Sequence, residues 1–231
     1  MGIQKRAGPW RRRYPSFRYV APFVLFLLTL GAVSHASLDP RWAEPLWVIV
    51  FLPICFYCWP RQIPVWPEHW VASIVIGLGT FVLWIAPEVL IPGYRDLPLF
   101  SNFIVENAHS SMPPATPHSL WTLGWRTARA SIIVPVVEEL FWRGWMMRWL
   151  IDSRFERVKP GAYARFAFWM TALLFASEHG PYWDVGLVTG VIYNIWMIRS
   201  KSVADCVLSH AATNGALSAY VVLGGHFQYW Q

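Results

Sequence analysis

The chain has 231 residues, 55% hydrophobic and 14% charged, with a mean hydropathy of +0.35 and a formal charge of +6. A soluble domain carries about a quarter charged residues, so this composition excludes an ordinary water-soluble globule, and sixteen tryptophans suit the aromatic belts of a bilayer interface. The positive charge reads as a membrane-orientation signal and not as a nucleic-acid footprint, because Lys5, Arg6, Arg11, Arg12, Arg13 and Arg18 cluster ahead of the first apolar run.

An all-α, polytopic transmembrane helical bundle of about seven spans (six to eight) is expected, since each crossing needs about 20 apolar residues. In chain order, a basic tail at 1–18 precedes a first span near 19–38. That run is too long for a secretory signal peptide and has no clear small-x-small cleavage site, so it is read as retained. The second span, near 45–59, holds Cys55 and Cys58 in a lone C-x-x-C. With Cys206 as the third cysteine, this makes no disulfide framework, and packing is preferred to metal or redox chemistry.

A third span lies near 70–91. The segment from Pro92 to Trp125, with Pro98, Pro113, Pro114 and Pro117, should be an outer loop with at most a short interfacial helix; lid and linker both remain open. Four more spans follow near 126–151, 163–179, 185–198 and 203–223. The chain therefore divides into the tail, N-terminal helices with the loop (19–124), and a helical core (125–225), with no internal repeat. With the N-terminus inside, the inner regions hold fourteen of the nineteen Lys and Arg, and the outer side keeps Arg41, Arg95, Arg126 and Arg129. This asymmetry predicts N-in, C-out, and a bacterial inner membrane is the expected location.

Ionisable residues inside spans cost roughly 2.5–3.5 kcal/mol each on insertion scales, so those present need a reason. Glu139 and Arg143 are four apart, on one helix face and within salt-bridge reach. Glu138 lies about 100° round the helix and is free to face something else, while Pro135, which has no N–H, can open the helix one turn earlier. Downstream, ALLFASEHG places Phe175 and His179 four apart, and LSHAATNGA does the same for His210 and Asn214. Either pair alone is equally well read as interhelical hydrogen-bond glue. Measured from the inner boundary, Glu138 lies ~20 Å deep, His179 ~24 Å and His210 ~10–16 Å, so helix tilt can bring them into one layer.

E-E-x-x-x-R, then F-x-x-x-H, then H-x-x-x-N on successive hydrophobic helices resembles the CAAX-protease and bacteriocin-processing family of intramembrane endopeptidases, over residues 125–225. The stretch VEELFWRGWMMRWLID further resembles its bacterial branch associated with exosortase protein-sorting systems. The resemblance implies that Glu138 is a general base for water, that His179 holds or polarises that water, and that His210 and Asn214 form the oxyanion hole. Glu139, Arg143 and Phe175 would shape the site. The chemistry agrees: desolvation raises a carboxylate's pKa towards the range useful for a base, and donors shielded from water stabilise an oxyanion strongly.

Glu138, His179 and His210 also make a two-His-one-carboxylate zinc set, but H-E-x-x-H is missing and the family is thought to work without a metal. No cofactor is therefore expected, with zinc as the rival. The expected partners are the bilayer and a membrane protein or lipidated peptide substrate. A non-catalytic scaffold or immunity protein on the same fold, and a small proton-relaying transporter, are the competing functions. Glu178 and Asp184 read as solvated carboxylates at the outer mouth, Asp205 as an interfacial residue near a helix N-terminus, and Asn194 as polar helix packing.

Overall fold

The computed structural model describes residues 14–36, 38–100 and 119–230, so most of the basic tail and the proline-rich centre of the long loop lie outside the described residues. Among the described residues the chain is helical without strands. The helices are α1 (Phe17–Ala36), α2 (Pro40–Cys58), α3 (Trp70–Leu90), a composite α4 (120–149), α5 (Arg165–Ser177), α6 (Trp183–Ser200) and α7 (Val203–Gly224).

Local chemistry sets the boundaries. Asp39 caps α2 by accepting from the N–H of Arg41 at 2.9 Å, with Pro40 in the first turn. Ser119 caps α4 by accepting from Thr122 N, so this helix starts at Leu120 and not near 126 as the hydrophobic run suggested. Gly225, at φ +73°, ends α7 in the left-handed conformation that glycine adopts without strain.

Among the described residues, three helices are long and apolar enough to cross a membrane: α2, α3 and α7. The fifth helix is shorter than the span expected near 163–179. α5 has thirteen residues, about 20 Å of helix, which is short of a bilayer core of about 30 Å; it packs antiparallel against α6 in a close pair. The outer surface is apolar. Phe56 is 88% exposed, Leu90 75% and Leu28 67%, and such a surface needs lipid to cover it. This is a membrane protein turned outward to hydrocarbon, with its charges inside.

Two contacts hold α3 to α7. The first is a close approach: Gly77 sits on the backbone of Ser209 and the methyl of Ala212, where a Cβ would strike the Ser209 carbonyl, and Thr213 Oγ1 donates to Gly77 O at 2.8 Å. The second is a staple at the helix ends. Asp205 is fully buried and accepts from His69 N at 2.8 Å, Ser73 Oγ at 3.0 Å and Glu68 N at 3.3 Å. It stands near a helix N-terminus, in the first turn of α7, and also supplies a cap to α3 from there. Cys55, Cys58 and Cys206 are buried free thiols, with Cys55 and Cys206 in apolar clusters, in keeping with the packing role.

Gly77→Ala should destabilise the protein by roughly 1–3 kcal/mol through overpacking. Gly79→Ala, two residues along where nothing lies within 4 Å of a Cβ, should be neutral or slightly stabilising. Thermal unfolding of both variants in one detergent checks this, and equal midpoints would refute the close approach.

Candidate active site

Glu138 and Glu139 of α4 sit between two breaks in its hydrogen-bond register, and Arg143 lies within the second. The helix runs as α over Leu120–Ala128, widens to π turns at Arg129–Ile133, returns to α for Val134–Glu139, and widens again at Leu140–Met146. Single π turns of this kind accompany functional positions in helices. Pro135 accounts for the first break. Val134 N bonds back five residues to Arg129 O, so Ala130 O is left facing residue 135, which as proline has no N–H. Asn214 supplies the missing donor, Nδ2 to Ala130 O at 2.9 Å. The opening expected at Pro135 thus fixes the side chain of Asn214 on α7.

Glu139 and Arg143 form a fully buried pair with Arg143 Nη1 to Glu139 Oε1 at 3.0 Å. The guanidinium also donates Nε to Asn194 Oδ1 at 3.2 Å and Nη2 to Gly190 O at 3.3 Å, and it lies 4.5 Å from the Phe175 ring centroid and 5.4 Å from that of Tyr193. Asn194 Nδ2 in turn reaches Phe168 O at 2.8 Å. Asn194 is therefore a packing residue that ties α4 to α5 and α6. Glu139 Oε1 also accepts from His210 Nδ1 at 2.9 Å, and this fixes the imidazole of α7.

In front of this pair lies an open cavity of about 230 Å³ whose walls include Glu138, Phe175, His179, His210 and Asn214. The structure brings Glu138 of α4, His210 and Asn214 of α7, Phe175 of α5 and His179 of the turn that follows α5 to one cavity. Glu139 and Arg143 do not line the cavity; they stand behind it. Glu138 Oε2 is buried with no hydrogen-bond partner among the described residues. His179 Nδ1 lies 2.8 Å from Phe175 O. A carbonyl only accepts, so Nδ1 carries the proton and in the neutral ring Nε2 presents a lone pair. His210 is likewise fixed with Nδ1–H on Glu139, and donation from its Nε2 as well requires the doubly protonated ring, whose charge Glu139 would balance. Among the described residues no group of three His, Cys, Asp or Glu side chains is placed to hold a metal ion.

Several wall residues carried no motif. Trp84 of α3 meets His179 edge to face at 5.3 Å, and Tyr193, Thr213 and Tyr182 complete the wall. Glu178 also lines the cavity, although no local pattern separates it from a solvated carboxylate. Asp184 is engaged elsewhere, with Arg95 at 2.6 Å and Tyr94 OH at 3.0 Å. Arg126 and Arg129, counted by sequence among outer charges, are buried in α4, line the cavity and share Glu44. No local pattern could have shown this, because Glu44 is more than 80 residues away.

Residues 116–216 match the family model described as Type II CAAX prenyl endopeptidase Rce1-like. No curated protein and no solved structure matches the chain.

Arg143→Met leaves Glu139 charged and buried with one partner fewer. It should cost roughly 3–5 kcal/mol and lower the unfolding midpoint in detergent. Arg143→Met combined with Glu139→Gln should recover a large part of that loss, because the pair is then removed as a unit. A single variant that unfolds at the wild-type temperature would show that the pair is not a structural keystone.

Proposed function

We propose that this helical membrane protein, whose residues 116–216 match the Rce1-like model of the CAAX-protease family, is an intramembrane endopeptidase that hydrolyses a peptide bond of a membrane-associated or lipid-modified protein. The observation that carries this reading is the convergence of Glu138 of α4, His179 of the turn after α5, and His210 and Asn214 of α7 on one cavity. We place it in a bacterial inner membrane with the N-terminus inside, on the bias of Lys and Arg along the chain.

The reaction needs a base for water, a holder for that water and donors for the oxyanion. Glu138, a carboxylate without a hydrogen-bond partner among the described residues, takes a proton from water as the oxygen attacks the substrate carbonyl carbon. The lone pair on His179 Nε2 accepts the other water hydrogen and aims the nucleophile. Negative charge then gathers on the former carbonyl oxygen. Asn214 has a second Nδ2–H beyond the one on Ala130 O, and His210 can add Nε2–H; both act where bulk water is excluded, which strengthens them. As the intermediate collapses, the C–N bond breaks and Glu138 returns its proton to the leaving amine. Glu139 and Arg143 are positioning residues in this scheme: Glu139 orients His210, and Arg143 holds Glu139.

Glu138→Gln keeps the shape and removes the base, so cleavage should fall by roughly 10²–10⁴-fold with the fold intact, and His179→Ala should fall similarly. The check compares protein termini in membranes of cells making wild type or variant at matched expression. Termini present only with wild type support the reading and identify the substrate. Identical termini, with equal unfolding midpoints for the two proteins, would sink it.

A further inference from the structure

The cavity that holds Glu138 is lined by charges of both signs: Glu138 and Glu178, and Arg126 and Arg129. Both arginines are 7% exposed and converge on the single carboxylate of Glu44. Arg129 donates Nε to Glu44 Oε2 at 2.8 Å and Nη2 to Oε1 at 3.0 Å, and Arg126 Nη1 reaches Oε1 at 3.4 Å. Arg129 retains Nη1, with two N–H groups and no hydrogen-bond partner among the described residues, on a side chain that borders the cavity. A guanidinium fixed on one edge and open on another presents a preorganised donor pair to a second carboxylate.

Arg129 and Glu138 belong to the same helix, nine positions apart. At 1.5 Å per residue they are separated by ~13 Å along its axis, which an extended peptide spans in about four residues. We propose that Arg129, backed by Arg126, is a carboxylate-binding subsite of this chain that receives an anionic carboxylate of the substrate about four residues from the bond that is cut. The inference rests on the peptidase reading and adds a specificity to it. The carboxylate can be a free C-terminus or an Asp or Glu side chain; the chemistry recognised is the same.

The test uses the purified full chain in lipid nanodiscs with two pools of random-sequence peptides fourteen residues long (~14, enough to span the ~13 Å several times over). One pool has free-acid C-termini and the other amidated ones, and products are read by mass spectrometry. Cleavage that requires Glu138 should be enriched about tenfold for a carboxylate at the stated distance, as expected from charge-assisted hydrogen bonds. Enrichment in the acid pool alone identifies a free C-terminus; enrichment at Asp and Glu in both pools identifies side chains. The variant Arg129→Gln leaves Glu44 paired with Arg126 and should lose the enrichment while some Glu138-dependent cleavage persists. Arg129→Lys, which keeps the charge without the planar donor pair, should keep part of it and serves as the second variant. Glu138-dependent cleavage without the preference, or a preference unchanged in Arg129→Gln or in the double variant Arg129→Gln with Arg126→Gln, overturns the subsite alone. Absence of any Glu138-dependent product overturns the peptidase reading and the subsite together.

Discussion

A guanidinium with no exposed surface stands at the centre of this fold. Arg143 is held by Glu139, Asn194 and the Gly190 carbonyl and covered by the rings of Phe175 and Tyr193. In a low-dielectric interior a charge of this kind is tolerable only when every direction offers a partner. Meeting that demand fixes the helices around it: α6 must bring Asn194 and Gly190, α5 must bring Phe175, and Glu139 must turn inward. Once Glu139 is inward, His210 of α7 is oriented by it, and Glu138, one residue earlier, is rotated towards the cavity. The cost of one buried charge is thus converted into the positions of three groups in the proposed chemistry.

The same logic separates structural carboxylates from the one free for chemistry. Glu44, Asp184 and Asp205 each have both oxygens engaged: Glu44 by two arginines, Asp184 by Arg95 and Tyr94, Asp205 by the N-terminus of α3. Glu139 has one oxygen doubly engaged and the other without a partner. Glu138 has no hydrogen-bond partner among the described residues and borders an open cavity. A buried polar group left unsatisfied costs about 1–3 kcal/mol or more if charged, so the cavity is where this fold leaves that demand unmet.

How far the sequence led can be seen at particular residues. Glu139 with Arg143, Phe175 with His179, and His210 with Asn214 were legible because each pair obeys the four-residue spacing of a helix inside a run where charge and amide are expensive. The order of the three pairs added the rest, and the structure places them as that order suggested. Asp205 was expected near a helix N-terminus, where it stands, but its cap on α3 was not legible, nor was the burial of Arg126 and Arg129, for one common reason: their partners are remote. His69 is 136 positions from Asp205 and Glu44 is 85 from Arg129, and a charge that is paired through the third dimension looks, in one dimension, like a charge at an interface. A span near 163–179 was expected because hydropathy reports only apolar length; the helix stops at Ser177, and His179 stands in the turn that continues through Gly180 and Pro181.

The breaks in α4 join these threads. A uniform α-helix through residues 126–151 would satisfy all of its interior carbonyls and give Asn214 no reason to hold one orientation. Pro135 withholds a single N–H, the helix widens ahead of it, and Ala130 O turns to the amide of Asn214. That hydrogen bond takes one donor of the amide and leaves its second N–H available, so the backbone defect sets a side chain on another helix at the wall of the cavity. Arg129 stands at the first residue of the same widened turn, where its side chain reaches Glu44 and still borders the cavity. One proline therefore relates two parts of the cavity wall: Asn214, proposed to act on the peptide bond, and the Arg129 guanidinium, proposed to hold the substrate further along.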